Sequence, residues 1–224
     1  MNFRQILVTG LLLYLFAIAG TAFVAFTYQE TAERIAENER AALLRRLREI
    51  IPPEMHDNDL FHDTIKVRDP ALLGTDDPVT VYRVRKHGRP IAIVLTAVAP
   101  DGYSGSIKLL IGILFDGTVV GVRVVAHHET PGLGDAIEVE RSDWIIRLSG
   151  RSLGNPAPER WKVKRDGGVF DQFTGATITP RAVVNAVRLA LVYFSRNQEQ
   201  LFAVDPTTAP GASESGESEI TPGL

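Results

Sequence analysis

The run Asp171-Gln172-Phe173-Thr174-Gly175-Ala176-Thr177-Ile178-Thr179-Pro180 places hydroxyls on both sides of a Gly-Ala pair, directly before an apolar stretch. A hydroxyl can be esterified or can bind an anion, and Gly175 and Ala176 are small enough to let a bulky group lie against the backbone. Val183, Val184, Val187, Leu191 and Phe194 then recur with helical spacing. A helix is therefore predicted with Thr179 at its N-cap and Pro180 at its first position, where the missing N–H costs nothing. Thr177 falls just upstream of that N-terminus, whose free N–H groups and positive dipole end favour a phosphate. The same residues also read as an ordinary capped helix after a glycine turn, and local chemistry alone does not separate the two.

A second run, His127-His128-Glu129-Thr130-Pro131-Gly132-Leu133-Gly134-Asp135, combines a Pro-Gly pair suited to a type II turn with two glycines that allow close backbone approach to a ligand. It lacks the second histidine of a zinc-protease motif and the third glycine of a dinucleotide loop. A purely structural turn is the alternative. Gly102-Tyr103-Ser104-Gly105 forms another turn. His56, His62, Asp57, Asp59 and Asp63 cluster in Met55–Pro78, but their irregular spacing suits a solvated loop better than a metal centre. Trp144 and Trp161 read as core or covering aromatics, and Lys162, Lys164 and Arg165 as the solvated face of a strand running from Trp161 to Phe170.

Composition removes several classes. The chain has 224 residues, a net charge of −3 and no cysteine. Disulfides, thiolate catalysis, cysteine-ligated clusters and c-type haem attachment are excluded, and nothing in the charge suggests nucleic acid as a partner. If the chain carries electrons, the carrier is organic or rests on histidine and carboxylate ligands.

The elements that must position these residues follow a long apolar segment. Ile6 to Tyr28 holds no charged residue across 23 positions, enough at about 1.5 Å per residue to span a bilayer core of roughly 30 Å. Aromatics frame it, Phe3 before and Phe23, Phe26 and Tyr28 at the far end. It exceeds a signal-peptide core, so an uncleaved anchor is expected over residues 6–28, after a short N-terminus at 1–5. Only Arg4 precedes the span, whereas Arg34, Arg40, Arg45, Arg46 and Arg48 follow it, so basic residues do not settle its orientation. Ala32 to Ile51 reads as a juxtamembrane helix stopped by Pro52-Pro53, within a helix-and-linker region at 29–78.

From Val79 the pattern turns to strand. Val79–Arg85, Ile91–Val98, Ser106–Phe115 and Thr118–Ala126 are joined by short turns that include His87-Gly88 and Asp116-Gly117. Four such strands predict an antiparallel meander with one face covered by helices, an α+β domain over residues 79–204. Asp135–Leu148 suggests one or two short helices. Residues 205–224, rich in Pro, Gly, Ser, Thr and Glu, suggest a disordered tail.

The string from Asp171 to Thr177 fits D-x-x-[S/T]-G-A-T. It resembles the flavinylation motif of the FMN-binding domain in the G subunits of Rnf/Rsx electron-transport complexes, a domain shared with the C subunit of the sodium-pumping NADH:quinone reductase. Glu129-Thr130-Pro131-Gly132-Leu133-Gly134 and Gly102-Tyr103-Ser104-Gly105 resemble two further elements of that domain, in the same order. Thr174 stands where many relatives have Ser, which keeps the hydroxyl.

The resemblance implies FMN joined to Thr177 by a phosphoester bond and bordered by Thr174, Gly175, Ala176, Glu129, Thr130, Gly132, Leu133 and Gly134. It implies a flavin transferase as a partner, with Asp171 either read by that transferase or orienting the loop. Lys162, Lys164 or Arg165 near the flavin would stabilise its reduced anionic form. It further implies a single-pass inner-membrane protein with a cytoplasmic N-terminus and a periplasmic domain. That domain would relay electrons among other membrane subunits of an ion-translocating complex rather than act as a stand-alone catalyst. Two alternatives are a covalent-FMN domain of another extracytoplasmic flavin chain and a non-redox membrane-anchored scaffold.

Overall fold

The computed structural model describes residues 3–203, which form two compact units, one ending at Pro52 and one starting at Pro53. The first is a single helix, α1 (Phe3–Ile50). Its Phe3–Ala32 portion is long and apolar enough to cross a membrane. Leu7, Leu12, Phe16 and Phe23 are exposed around it, as a helix apolar on all sides requires of a lipid-facing span. The anchor and the juxtamembrane helix are one uninterrupted element. It stops ahead of Pro52-Pro53, because proline disfavours the helical conformation in the residue before it and brings no N–H. The expected tail at 205–224 lies outside the described residues.

The second unit is built on a five-stranded antiparallel sheet whose order follows the chain: β1 (Thr64–Val67), β2 (Val79–Lys86), β3 (Arg89–Ala99), β4 (Ile107–Leu114) and β5 (Val119–Ala126). The α+β architecture is the one expected. Between β1 and β2 lies a single helical turn, α2 (Pro70–Leu73), capped by the Asp69 carboxylate. β2 and β3 meet through His87 and Gly88, both at positive φ (52° and 72°), the two-residue turn whose twist matches the strands. Along β3 and β4, Ile93, Leu95, Ala97 and Ala99 and Ile107, Leu109, Ile111 and Ile113 fall into one buried core, the period of two that puts alternate residues on one face.

That face is covered chiefly by α3 (Ile178–Phe202), which packs on β3 and β4 with Val183, Val187, Ala190, Leu191 and Phe194 in the core. Short 3-10 turns at Gly134–Ile137 and Ile145–Leu148 stand where one or two short helices were expected. Trp144 and Trp161 are both in the core.

Three expectations need correction. The stretch 55–78 is no simple linker, since it contributes β1, paired to β2 from Thr64↔Tyr82 to Val67↔Val79. Within it Asp63 is no solvated loop residue: its carboxylate takes Arg83 Nε at 2.5 Å and Arg85 Nε at 2.9 Å. Trp161–Phe170 is no strand. It folds back on itself through a 3-10 turn at Lys164–Asp166, and a side chain at Gly168 would strike the Lys162 carbonyl.

Candidate functional site

α3 starts two residues before the expected position. Thr177 is its N-cap, and Thr179 and Pro180 lie inside the first turn. Pro180 is tolerated there because first-turn N–H groups have no partner within the helix. Thr179 does not cap. It is 1% exposed, and its hydroxyl donates instead to the Glu129 carboxylate. Thr177 makes no side-chain capping bond either, so its hydroxyl stands at a helix N-terminus uncommitted to the helix.

The turn that delivers Thr177 is set by backbone chemistry. Ala176 N donates to Phe173 O at 3.2 Å, and Gly175 between them has φ 84°. This is a four-residue turn whose third position needs the left-handed conformation, which glycine adopts without strain. The facing loop uses the same device. Leu133 N donates to Thr130 O at 3.1 Å, with Pro131 second and Gly132 third at φ 77°, the type II turn expected of Pro-Gly.

Three distant segments converge on one carboxylate. Glu129 is 4% exposed; it accepts from Ser104 N at 2.9 Å through Oε1 and from the Thr179 hydroxyl through Oε2. Its own backbone N donates to His127 Nδ1 at 3.0 Å, and His127 Nε2 lies 3.0 Å from Glu138. Gly102 and Gly134 wall the carboxylate in. A Cβ on Gly102 would come within 2.9 Å of Glu129 Oε1, and one on Gly134 within 2.9 Å of Oε2. Gly102 and Gly134 are thus packing requirements of a buried acid.

A cleft of about 320 Å³ opens beside this centre, within the roughly 300–1,000 Å³ usual for small-molecule sites. Glu129, Thr130, Leu133 and Gly134 line it from one loop, Gly175, Ala176, Thr177, Ile178 and Thr179 from the turn and helix start, and Tyr103 from a third side. Tyr103, Leu133 and Ile178 are large apolar side chains left exposed there. Of the residues expected to border a ligand, Gly132 and Thr174 hold turn positions and do not line the cleft. Tyr103, Ile178 and Thr179 do line it and were not anticipated. Only the G-Y-S-G resemblance pointed near Tyr103, and nothing in the spacing pairs Thr179 with a residue 50 positions earlier.

Asp171 is outside the cleft. Its Oδ1 meets Lys164 Nζ at 2.5 Å, its Oδ2 meets Arg147 Nη1 at 2.6 Å, and its backbone O accepts from Trp144 Nε1 at 2.6 Å. Lys164 foremost, with Arg147, holds its carboxyl below the usual carboxylate range. No group of histidines and carboxylates able to hold a metal ion occurs among the described residues.

The antiparallel sheet crossed by one long helix, with its cleft at that helix's N-terminus, coincides with an FMN-binding domain: the family described as FMN-binding domain matches residues 102–192. The RnfG N-terminal region matches residues 1–50. Over most of its length the chain is similar to proteins named as the G subunit of the ion-translocating oxidoreductase complex. The one from Pseudomonas aeruginosa is 51% identical, over 93% of this chain and 96% of its own length. Those from Shewanella baltica, 49% identical over 87% and 92%, and Vibrio atlanticus, 47% identical over 87% and 92%, are similar in extent. The chain belongs to this family of ion-translocating oxidoreductase G subunits, with an N-terminal helix that fits a single-pass membrane protein.

Proposed function

We propose that this chain carries FMN covalently, as a phosphoester on Thr177, and relays electrons through it within an ion-translocating oxidoreductase complex. The observation that carries the reading is Thr177, which lines the cleft from the N-cap of α3 and whose hydroxyl makes no capping bond. A phosphodiester formed there keeps one negative charge, which the helix N-terminus accommodates. Gly175, Ala176 and Gly134 leave the backbone open to the ligand, and Leu133, Ile178 and Tyr103 offer apolar surface for a ring system. Glu129 with Thr130 fixes the facing wall, while Gly132 and Thr174 shape the two turns. When bound, FMN supplies the capacity to accept one or two electrons and so to link carriers of either kind.

Loading requires a flavin transferase. The Thr177 oxygen forms a bond to the FMN phosphorus of FAD, the bond from that phosphorus to the AMP portion breaks, and the hydroxyl proton leaves with AMP. In such transfers a metal ion stabilises the charge on phosphate. Asp171 lies six residues before Thr177 and bears on this step, either as a residue the transferase reads or as one that orients the loop. The domain resides on the periplasmic face of the inner membrane, tethered by α1 with its N-terminus in the cytoplasm and in contact with other membrane subunits. A covalent bond suits that location, because a dissociable flavin would be lost by dilution.

The test is in-gel flavin fluorescence after denaturation, with the chain co-expressed with a transferase shown active on a control substrate. Wild type is expected to fluoresce and Thr177→Ala to be dark. A dark wild type would reject the covalent carrier.

A further inference from the structure

The segment that leads into the attachment turn is fastened at three points. Asp171 takes one cation on each carboxylate oxygen, and its carbonyl takes the Trp144 indole N–H. Two residues on, the Phe173 ring meets Trp144 edge-on at 5.2 Å between centroids. The cations come from separate elements: Arg147 from the 3-10 turn that packs on β5, and Lys164 from the fold-back turn after Trp161. One carboxylate therefore ties three segments of chain together immediately before the turn that presents Thr177.

Arg147 and Lys164 side chains are 64% and 57% exposed. Ion pairs so exposed add little to global stability. What they do set is geometry, since two donors at 2.5 and 2.6 Å from different directions fix the carboxylate in place. Lys164 and Arg147 hold the Asp171 carboxyl below the usual range, so both cations face a charged partner at physiological pH. An acid serving mainly as a mark for another protein would be expected to present free oxygens, whereas here both are engaged.

We propose that Arg147 and Lys164 are positioning residues for FMN attachment: by gripping Asp171 they hold the Phe173–Ala176 turn so that the Thr177 hydroxyl is presented to the transferase. Asp171 then acts within its own chain, through these two cations. The inference rests on the reading of Thr177 as the attachment residue. Displacing a reacting group by about 1 Å can cost up to a hundredfold in rate, so a loosened loop is expected to show first in the rate of flavin loading.

The test follows in-gel flavin fluorescence over time in the full-length chain, co-expressed with the transferase and normalised to protein. Arg147→Met/Lys164→Met and Asp171→Asn are each expected to load about tenfold more slowly than wild type. Its thermal midpoint should stay close to wild type, since the pairs are exposed. Arg147→Lys/Lys164→Arg keeps both charges and is expected to load at close to the wild-type rate. A charge-swapped chain, Asp171→Lys with Lys164→Asp and Arg147→Met, is expected to load faster than Asp171→Lys alone. Rescue by exchanging the partners is something a residue read by the transferase cannot show.

Loading at the wild-type rate in the Met/Met variant, beside a dark Asp171→Asn, would overturn the proposal and make Asp171 a transferase mark. So would a charge-swapped chain as slow as Asp171→Lys. Should the Met/Met variant fail to fold, the charge-retaining and charge-swapped chains decide alone. A dark wild type would instead remove the attachment at Thr177 itself, an outcome separate from every one of these.

Discussion

Glu129 has both carboxylate oxygens engaged and two glycines pressed against them, which makes it the residue most exposed to test. Glu129→Ala strands the Ser104 N–H and the buried Thr179 hydroxyl, and leaving a buried donor unsatisfied costs about 1–3 kcal/mol. Urea unfolding should show a loss of that size. Thr179→Val should then cost less in the Glu129→Ala background than in wild type, as expected of contacting residues. Gly134→Ala forces a methyl to within 3.0 Å of the Thr179 hydroxyl and closer still to Glu129, an overpacking expected to cost about 1–3 kcal/mol. Asp171 adds a pH dependence. Its folded-state value is depressed, so the pairing contributes fully above the unfolded value of about 4 and is lost as pH falls through the lower folded value. With Trp161→Phe leaving Trp144 as the remaining tryptophan, its emission should hold steady from neutral pH to about 4 and change only below that. A midpoint above about pH 5 would reject Asp171 as the cause. At this scale the sequence motifs located Thr177 and both loops. They could not reveal that Glu129 is buried or what it binds, because its partners lie 25 and 50 positions away along the chain.

Strands and helices were legible in proportion to their apolar content. β2 to β5 begin and end within two residues of the runs that predicted them, since each places apolar residues in a core that α3 covers. β1 escaped notice because Thr64-Ile65-Lys66-Val67 is short and carries a lysine, the features that keep a sheet edge from pairing further. The start of α3 was misplaced because Thr179-Pro180 has the composition of an N-cap and first position, while the buried bond to Glu129 drew Thr179 into the first turn. The expected strand at Trp161–Phe170 failed for a related reason: Gly167 and Gly168 permit a reversal that alternation cannot reveal. α3 both supplies the N-terminus at Thr177 and roofs the core, so its packing and the site are linked. Leu191→Ala, at a core position on the same helix face as Val183 and Val187, should destabilise the domain by about 2–5 kcal/mol in chemical denaturation. A loss under about 1 kcal/mol would show that α3 contributes little to the core.

For the whole molecule, the open physical question is which side of the membrane receives the domain. α1 provides a span, but its basic residues lie mostly on the side of the domain, the bias that retains loops in the cytoplasm. Large domains can translocate despite such charges, and the proposed periplasmic location depends on that. The chain's lack of cysteine makes the point directly measurable. Glu159 is exposed in a short 3-10 turn of the domain, so Glu159→Cys introduces a lone accessible thiol. In spheroplasts with an intact inner membrane, a membrane-impermeant maleimide should label this variant as fully as it does after detergent lysis. Glu159→Cys protected until lysis would place the domain in the cytoplasm. The tether would then have to be explained by something other than loss of flavin to the outside, and the charge pattern around α1 would have been the better guide.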